Sequence, residues 1–176
     1  MNSYALFYVY PSLKSGDFSI GLFNLVVYGL LSAPFLLYFI TRYIGHLKVP
    51  TILIGLSVMA VATIIQFAIS QPSLPVLFVH VAFYLFAGLL EEMLWRAKLW
   101  KLVNQKLVNP VAVLVVITGH FVVLHIPFAL LEKPDPVGFL IQVLALGVTL
   151  GVLRIISKRV SVPAFAHAAI NMVVYT

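Results

Sequence analysis

Long stretches without a single charge alternate with short polar breaks along this chain, and the stretches are helix-length rather than strand-length. A span of about 20 apolar residues crosses the hydrocarbon core of a bilayer at 1.5 Å per residue, so each stretch predicts a membrane helix. The first extends from about Phe18 to Thr41. A second follows Lys48 and Pro50 and ends near "SQPSLP" (Ser70 to Pro75), where two prolines signal a turn. The third begins near Val76 and runs into Glu91 and Glu92. Asn109-Pro110 opens the fourth, with proline suited to a first helical turn, and "EKPDP" (Glu132 to Pro136) closes it. A fifth covers about Val137 to Leu153, and "SVP" (Ser161 to Pro163) opens a sixth.

The pattern therefore predicts an all-α fold, a polytopic transmembrane helix bundle of about six spans, forming a single membrane domain over residues 1–176. Composition supports it. The chain is 62% hydrophobic and 9% charged, far below the roughly 25% charged residues of soluble domains, and its mean hydropathy is +1.11. No cleavable leader, internal repeat or low-complexity segment is expected, because the first apolar run lacks an early positive cluster and reads as a retained span.

The net charge of +6 is read as topology rather than as affinity for nucleic acid, because the basic residues sit in short alternate connections. Arg42 and Lys48 lie in one; Arg96, Lys98, Lys101 and Lys106 in the next; Arg154, Lys158 and Arg159 in a third. Only Lys14 and Lys133 fall on the other side, beside Asp17, Glu132 and Asp135. That asymmetry predicts a cell-membrane protein with both termini outside and the basic loops in the cytoplasm. Trp95 and Trp100 fit an interfacial belt, and the segment from Trp95 to Leu107 has the mixture expected of an interfacial stretch.

Against this background the polar residues at membrane depth are few: Glu91 and Glu92, His120 and His125, His167 and Asn171. A charge at mid-bilayer costs about 2.5–3.5 kcal/mol on insertion scales, so such residues face a bundle interior or a wet cavity. Glu92 and Arg96 are four apart on one helix face with the acid first, the favourable order for an ion pair. Glu91 is turned about 100° away and shares Arg96 less well. His167 and Asn171 are also four apart, as are Phe121 and His125. Each piece has a bland reading: a membrane-exit sequence for the glutamates, helix–helix hydrogen bonds for the histidines. His80 and His120 receive that bland reading. The coincidence of a carboxylate, two histidines and an amide on three helices points the other way. With no cysteine in the chain, disulfides, thiolate metal sites and a cysteine nucleophile are all excluded.

Taken in order, "EEMLWR" (91–96), "FVVLH" (121–125) and "HAAIN" (167–171) resemble the three motifs of the CAAX protease and bacteriocin-processing family, also called the Abi family or type II CAAX prenyl endopeptidases. The resemblance covers about residues 80–176, the motif-bearing protease core. It implies an intramembrane endopeptidase acting on a membrane-anchored protein or peptide: Glu91 resembles the residue that activates water with help from His125, and His167 and Asn171 resemble the pair that stabilises the oxyanion. Glu92 and Arg96 match positions that support the site. The chain departs from the pattern at Ala97, where members commonly carry glycine.

A carboxylate sheltered from bulk water suits general-base work, and an N–H or amide donor suits a developing oxyanion. The same residue types leave a metal scheme open, with no cofactor required by the first reading: Glu91, His125 and His167 form a two-histidine, one-carboxylate set of the kind that binds zinc. Two further functions compete: a non-catalytic bacteriocin-immunity or partner-binding protein of the same fold, and a small transporter or proton relay. Transporters are usually built from repeats, and none is visible here.

Overall fold

The computed structural model describes residues 49–71 and 73–174. The predicted first span and the N-terminal segment lie outside the described residues. Among the described residues every regular element is helical. They are α1 (Val49–Ser70), α2 (Leu74–Glu92), a π-helical segment (Met93–Leu99), α3 (Trp100–Asn104), α4 (Pro110–Glu132), α5 (Pro136–Ser157) and α6 (Ser161–Val174). Three stretches among them are long and apolar enough to cross a membrane, Leu53–Ser70, Pro110–Glu132 and Pro136–Ser157, with Ser161–Val174 a shorter apolar helix. Large apolar side chains such as Ile64, Val115, Leu131 and Ile141 stand exposed along them, a surface suited to lipid and too apolar for water. The protein is a helical membrane protein.

Helix boundaries follow local chemistry. Asn109 caps α4 by accepting a hydrogen bond from Val111 N at 2.8 Å, with Pro110 in the first turn. Asp135 caps α5 in the same way, accepting from Gly138 N at 3.0 Å, again ahead of a proline. At its far end α5 stops at Lys158, whose φ of 57° turns the chain left-handed. Gln71, at φ 44°, does the same after α1. The expected fifth span thus runs four residues beyond Leu153, because no breaker occurs before that cap.

The chain packs as two compact units, Met1–Leu90 with Phe165–Thr176, and Glu91–Ala164. In the first, a cluster of Met59, Ala62, Phe83, Tyr84, Ala168, Ala169 and Met172 is buried, with Phe165 against it. A Cβ on Gly55 would meet the Phe165 ring, so this glycine is what admits the ring against α1.

In the second unit α4 and α5 form an antiparallel hairpin. Val113, Ile117 and Phe121, at four-residue steps on α4, are buried, as are Phe139, Val143, Gly147 and Gly151 on α5. Helices in lipid gain little from hydrophobicity and associate by close packing, which small residues four apart permit. A Cβ on Gly147 would lie 3.0 Å from Thr118 Cγ2 and 3.3 Å from Phe121 Cδ1. On Gly151 it would run into Leu114 Cδ1.

Candidate functional site

Glu91 and Glu92 occupy the last turn of α2, and both are buried, Glu92 completely. The next residues leave α-helical geometry: Met93–Leu99 is a π-helical segment, closing i→i+5 hydrogen bonds. Arg96 lies inside it with no exposed surface. A bare guanidinium at such a position is not tolerable, and three contacts answer it. Nη1 donates to Glu92 Oε1 at 2.8 Å, and Nη2 donates to the Gly147 carbonyl at 3.2 Å. The cation stands 4.9 Å from the Phe121 ring centroid, and the Arg96 carbonyl accepts from Arg154 Nε at 3.0 Å. The expected ion pair is present, and Gly147 and Arg154 join it from α5.

Phe121 links this network to His125. Its ring packs edge-on against Trp95, with centroids 5.7 Å apart, and lies 4.5 Å from the His125 ring. Its carbonyl accepts a hydrogen bond from His125 Nδ1 at 2.7 Å. A carbonyl oxygen only accepts, so Nδ1 carries the proton and the Nε2 lone pair is left for other chemistry. Phe139 of α5 flanks the same ring, with centroids 6.4 Å apart. His125 is half-buried.

His167 and Asn171 belong to the first unit, on α6. His167 is buried and Asn171 half-buried, among Ala168, Ala169 and Met172 of the core cluster. His120 is exposed and donates through Nδ1 to Val116 O at 2.8 Å, in keeping with a helix-surface role. Within either unit, no three His, Asp or Glu side chains among the described residues gather as a metal-holding group. The zinc set named above takes its members from both units.

Three participants escaped the sequence. Gln66 is fully buried and hydrogen-bonds His80 Nδ1 across the α1–α2 hairpin. The signal was there: an amide inside an apolar run, seven residues before Ser73, faces the histidine seven residues after it. Gly147 supplies a backbone carbonyl, which composition cannot flag. Arg154 was counted only as a cytoplasmic charge.

No curated protein and no solved structure matches the chain. A family model does, described as type II CAAX prenyl endopeptidase Rce1-like, over residues 72–173. That match takes in α2 to α6 almost entire, with Glu91, Glu92, Arg96, His125, His167 and Asn171 all inside it. By this match over more than half its length, the chain belongs to the Rce1-like family of type II CAAX prenyl endopeptidases, a family of membrane proteases.

Proposed function

We propose that this chain is an intramembrane endopeptidase that hydrolyses a peptide bond of a lipidated or otherwise membrane-associated protein or peptide, using water activated by Glu91 and His125. The commitment of Arg96 carries the reading. The guanidinium is hydrogen-bonded to Glu92 and to Gly147 O and rests on Phe121. Glu92 is thereby assigned to structure, and Glu91 to chemistry because it matches the first glutamate of the family motif.

Glu91 takes a proton from water as the water oxygen attacks the scissile carbonyl carbon. The oxyanion accepts hydrogen bonds from a ring N–H of His167 and from the Asn171 amide, contacts worth about 2.7–4 kcal/mol per donor in comparable sites. Breaking the C–N bond requires a proton on the leaving nitrogen, delivered from the Glu91–His125 pair. His125 is suited to this because Nδ1 is committed to Phe121 O, which orients the ring and leaves Nε2 to act. The same free Nε2 lone pair is what a zinc ligand needs. A zinc ion held by Glu91, His125 and His167 would supply carbonyl polarisation and a more acidic bound water.

The test is cleavage of an internally quenched peptide bearing a farnesylated cysteine beside the scissile bond. Glu91→Gln keeps shape and removes basicity, so turnover is lost while the melting temperature is retained; His125→Ala is similarly severe. Full cleavage by Glu91→Gln overturns the reading. Chelator-insensitive cleavage selects direct activation by Glu91 and His125, and loss on chelation with recovery on adding zinc selects the metal scheme. The basic loops are assigned to the cytoplasm. Single cysteines at positions 45, 104 and 158 then label from one side and those at 15 and 134 from the other; a mixed pattern overturns that orientation.

A further inference from the structure

Arg154 has the sequence position of an ordinary cytoplasmic loop charge, but it is half-buried and its contacts reach into the protein. In an α-helix the Trp100 N–H would donate to the carbonyl four residues back, which is Arg96 O. Here it donates to Trp95 O and Ala97 O instead, as the chain passes from the π-helical segment into α3. The Arg96 carbonyl is thus passed over by the Trp100 N–H in that change of register. Arg154 Nε donates to it at 3.0 Å, and the Arg154 guanidinium stands 6.0 Å from the Trp100 ring centroid. The skipped carbonyl is thus satisfied from a helix 58 residues on in sequence.

The same face of α5 holds the other end of the residue. Gly147, seven positions before Arg154, accepts Arg96 Nη2 at 3.2 Å. Between them, Gly151 lets Leu114 and Trp100 come close. A buried carbonyl without a donor is costly, and a π-helical turn pairs fewer of its groups as regularly as an α-helix does. Removing the Arg154 donor therefore favours return of the segment to α-helical register, with Trp100 N–H donating to Arg96 O. That return rotates Arg96 relative to Gly147 O and Phe121, and Phe121 is the residue whose carbonyl holds His125.

We infer that Arg154 is a positioning residue: by filling the skipped Arg96 carbonyl it locks the π-helical register that aims Glu91, Glu92 and Arg96 and, through Phe121, His125. This rests on the protease reading for its effect on catalysis but not for its effect on the segment, so the two are measured separately. Arg154→Met keeps length and packing on Trp100 and removes every N–H donor. Arg154→Lys restores a donor on a similar stem.

With the internally quenched farnesylated peptide, Arg154→Met lowers kcat by roughly 10²-fold, the scale of an ångström of misplacement, with KM nearly unchanged. Arg154→Lys recovers most of that loss. Amide hydrogen exchange over Met93–Asn104 changes in Arg154→Met and returns toward wild type in Arg154→Lys. If Arg154→Met does not accumulate, Arg154→Gln, too short to reach Arg96 O, takes its place. Wild-type kcat together with wild-type exchange in the donor-free variant overturns the inference, as does equal loss with lysine and methionine. If the wild-type protein cleaves nothing, the protease reading fails, and the exchange comparison alone decides for or against the lock.

Discussion

The two units bury polar groups by opposite means. In the unit that contains α1, Gln66 and His80 meet as neutral partners, one hydrogen bond across a helical hairpin, with Tyr84 edge-on to the imidazole. In the unit that contains α4 and α5, a full charge is taken out of solvent at Arg96 and must be answered by a carboxylate, a carbonyl and an aromatic face at once. A neutral amide can lose its partner and still find another in a membrane, so such a bond contributes modestly. A buried cation has no such recourse, and each of its contacts constrains the backbone that supplies it. The neutral pair holds two helices together. The charged one ties the π-helical segment to α4 and α5 at once.

The sharpest way to break this contrast is Arg96→Ala, which leaves Glu92 buried beside a void and is expected to cost about 3–5 kcal/mol of stability. Thermal melting of the purified protein in detergent reads it, and a loss below that of Gln66→Leu would reverse the comparison. Next comes Gly147→Val. Its new methyls press on the stiff Thr118 and on buried Phe121, an overpacking worth about 1–3 kcal/mol. Gly151→Ala should cost clearly less in the same melt, because the atom in its way is the rotatable end of Leu114. Smallest is Gln66→Leu, expected near 0.6 kcal/mol, the typical worth of an interhelical hydrogen bond in a membrane protein; a cost near that of Arg96→Ala would mean the neutral pair is as demanding as the charged one.

Helix limits were legible wherever a proline, a capping Asn or Asp, or a charge marked them, as at Asn109-Pro110 and Asp135-Pro136. The Glu92–Arg96 pair was legible because four-residue spacing is local, and it survives the passage from α2 into the π-helical segment. The π-helical segment itself was not legible. Nothing in "MLWRAKL" forbids an ordinary helix, and what favours the wider turn is a donor on α5, remote in sequence. Arg154 was hidden for a related reason: a basic residue at the end of an apolar run has an adequate explanation in membrane topology, and that explanation displaced a second one. Gln66 was a matter of counting, since amides were not weighed alongside acids and histidines.

The π-helical segment at Met93–Leu99 can also be viewed as a length of chain one residue longer than a regular helix needs over the same rise. Deleting one residue there, the exposed Leu94 for instance, would leave an uninterrupted α-helix that is locally more regular. The deletion would also shorten the Glu92–Arg96 spacing from four residues to three, changing the geometry of a fully buried ion pair. Regularity and the present ion-pair geometry therefore pull against each other in this stretch. A search for better-behaved versions of the protein by shortening or idealising its helices would arrive at a tidier scaffold in which the buried ion pair has to be remade.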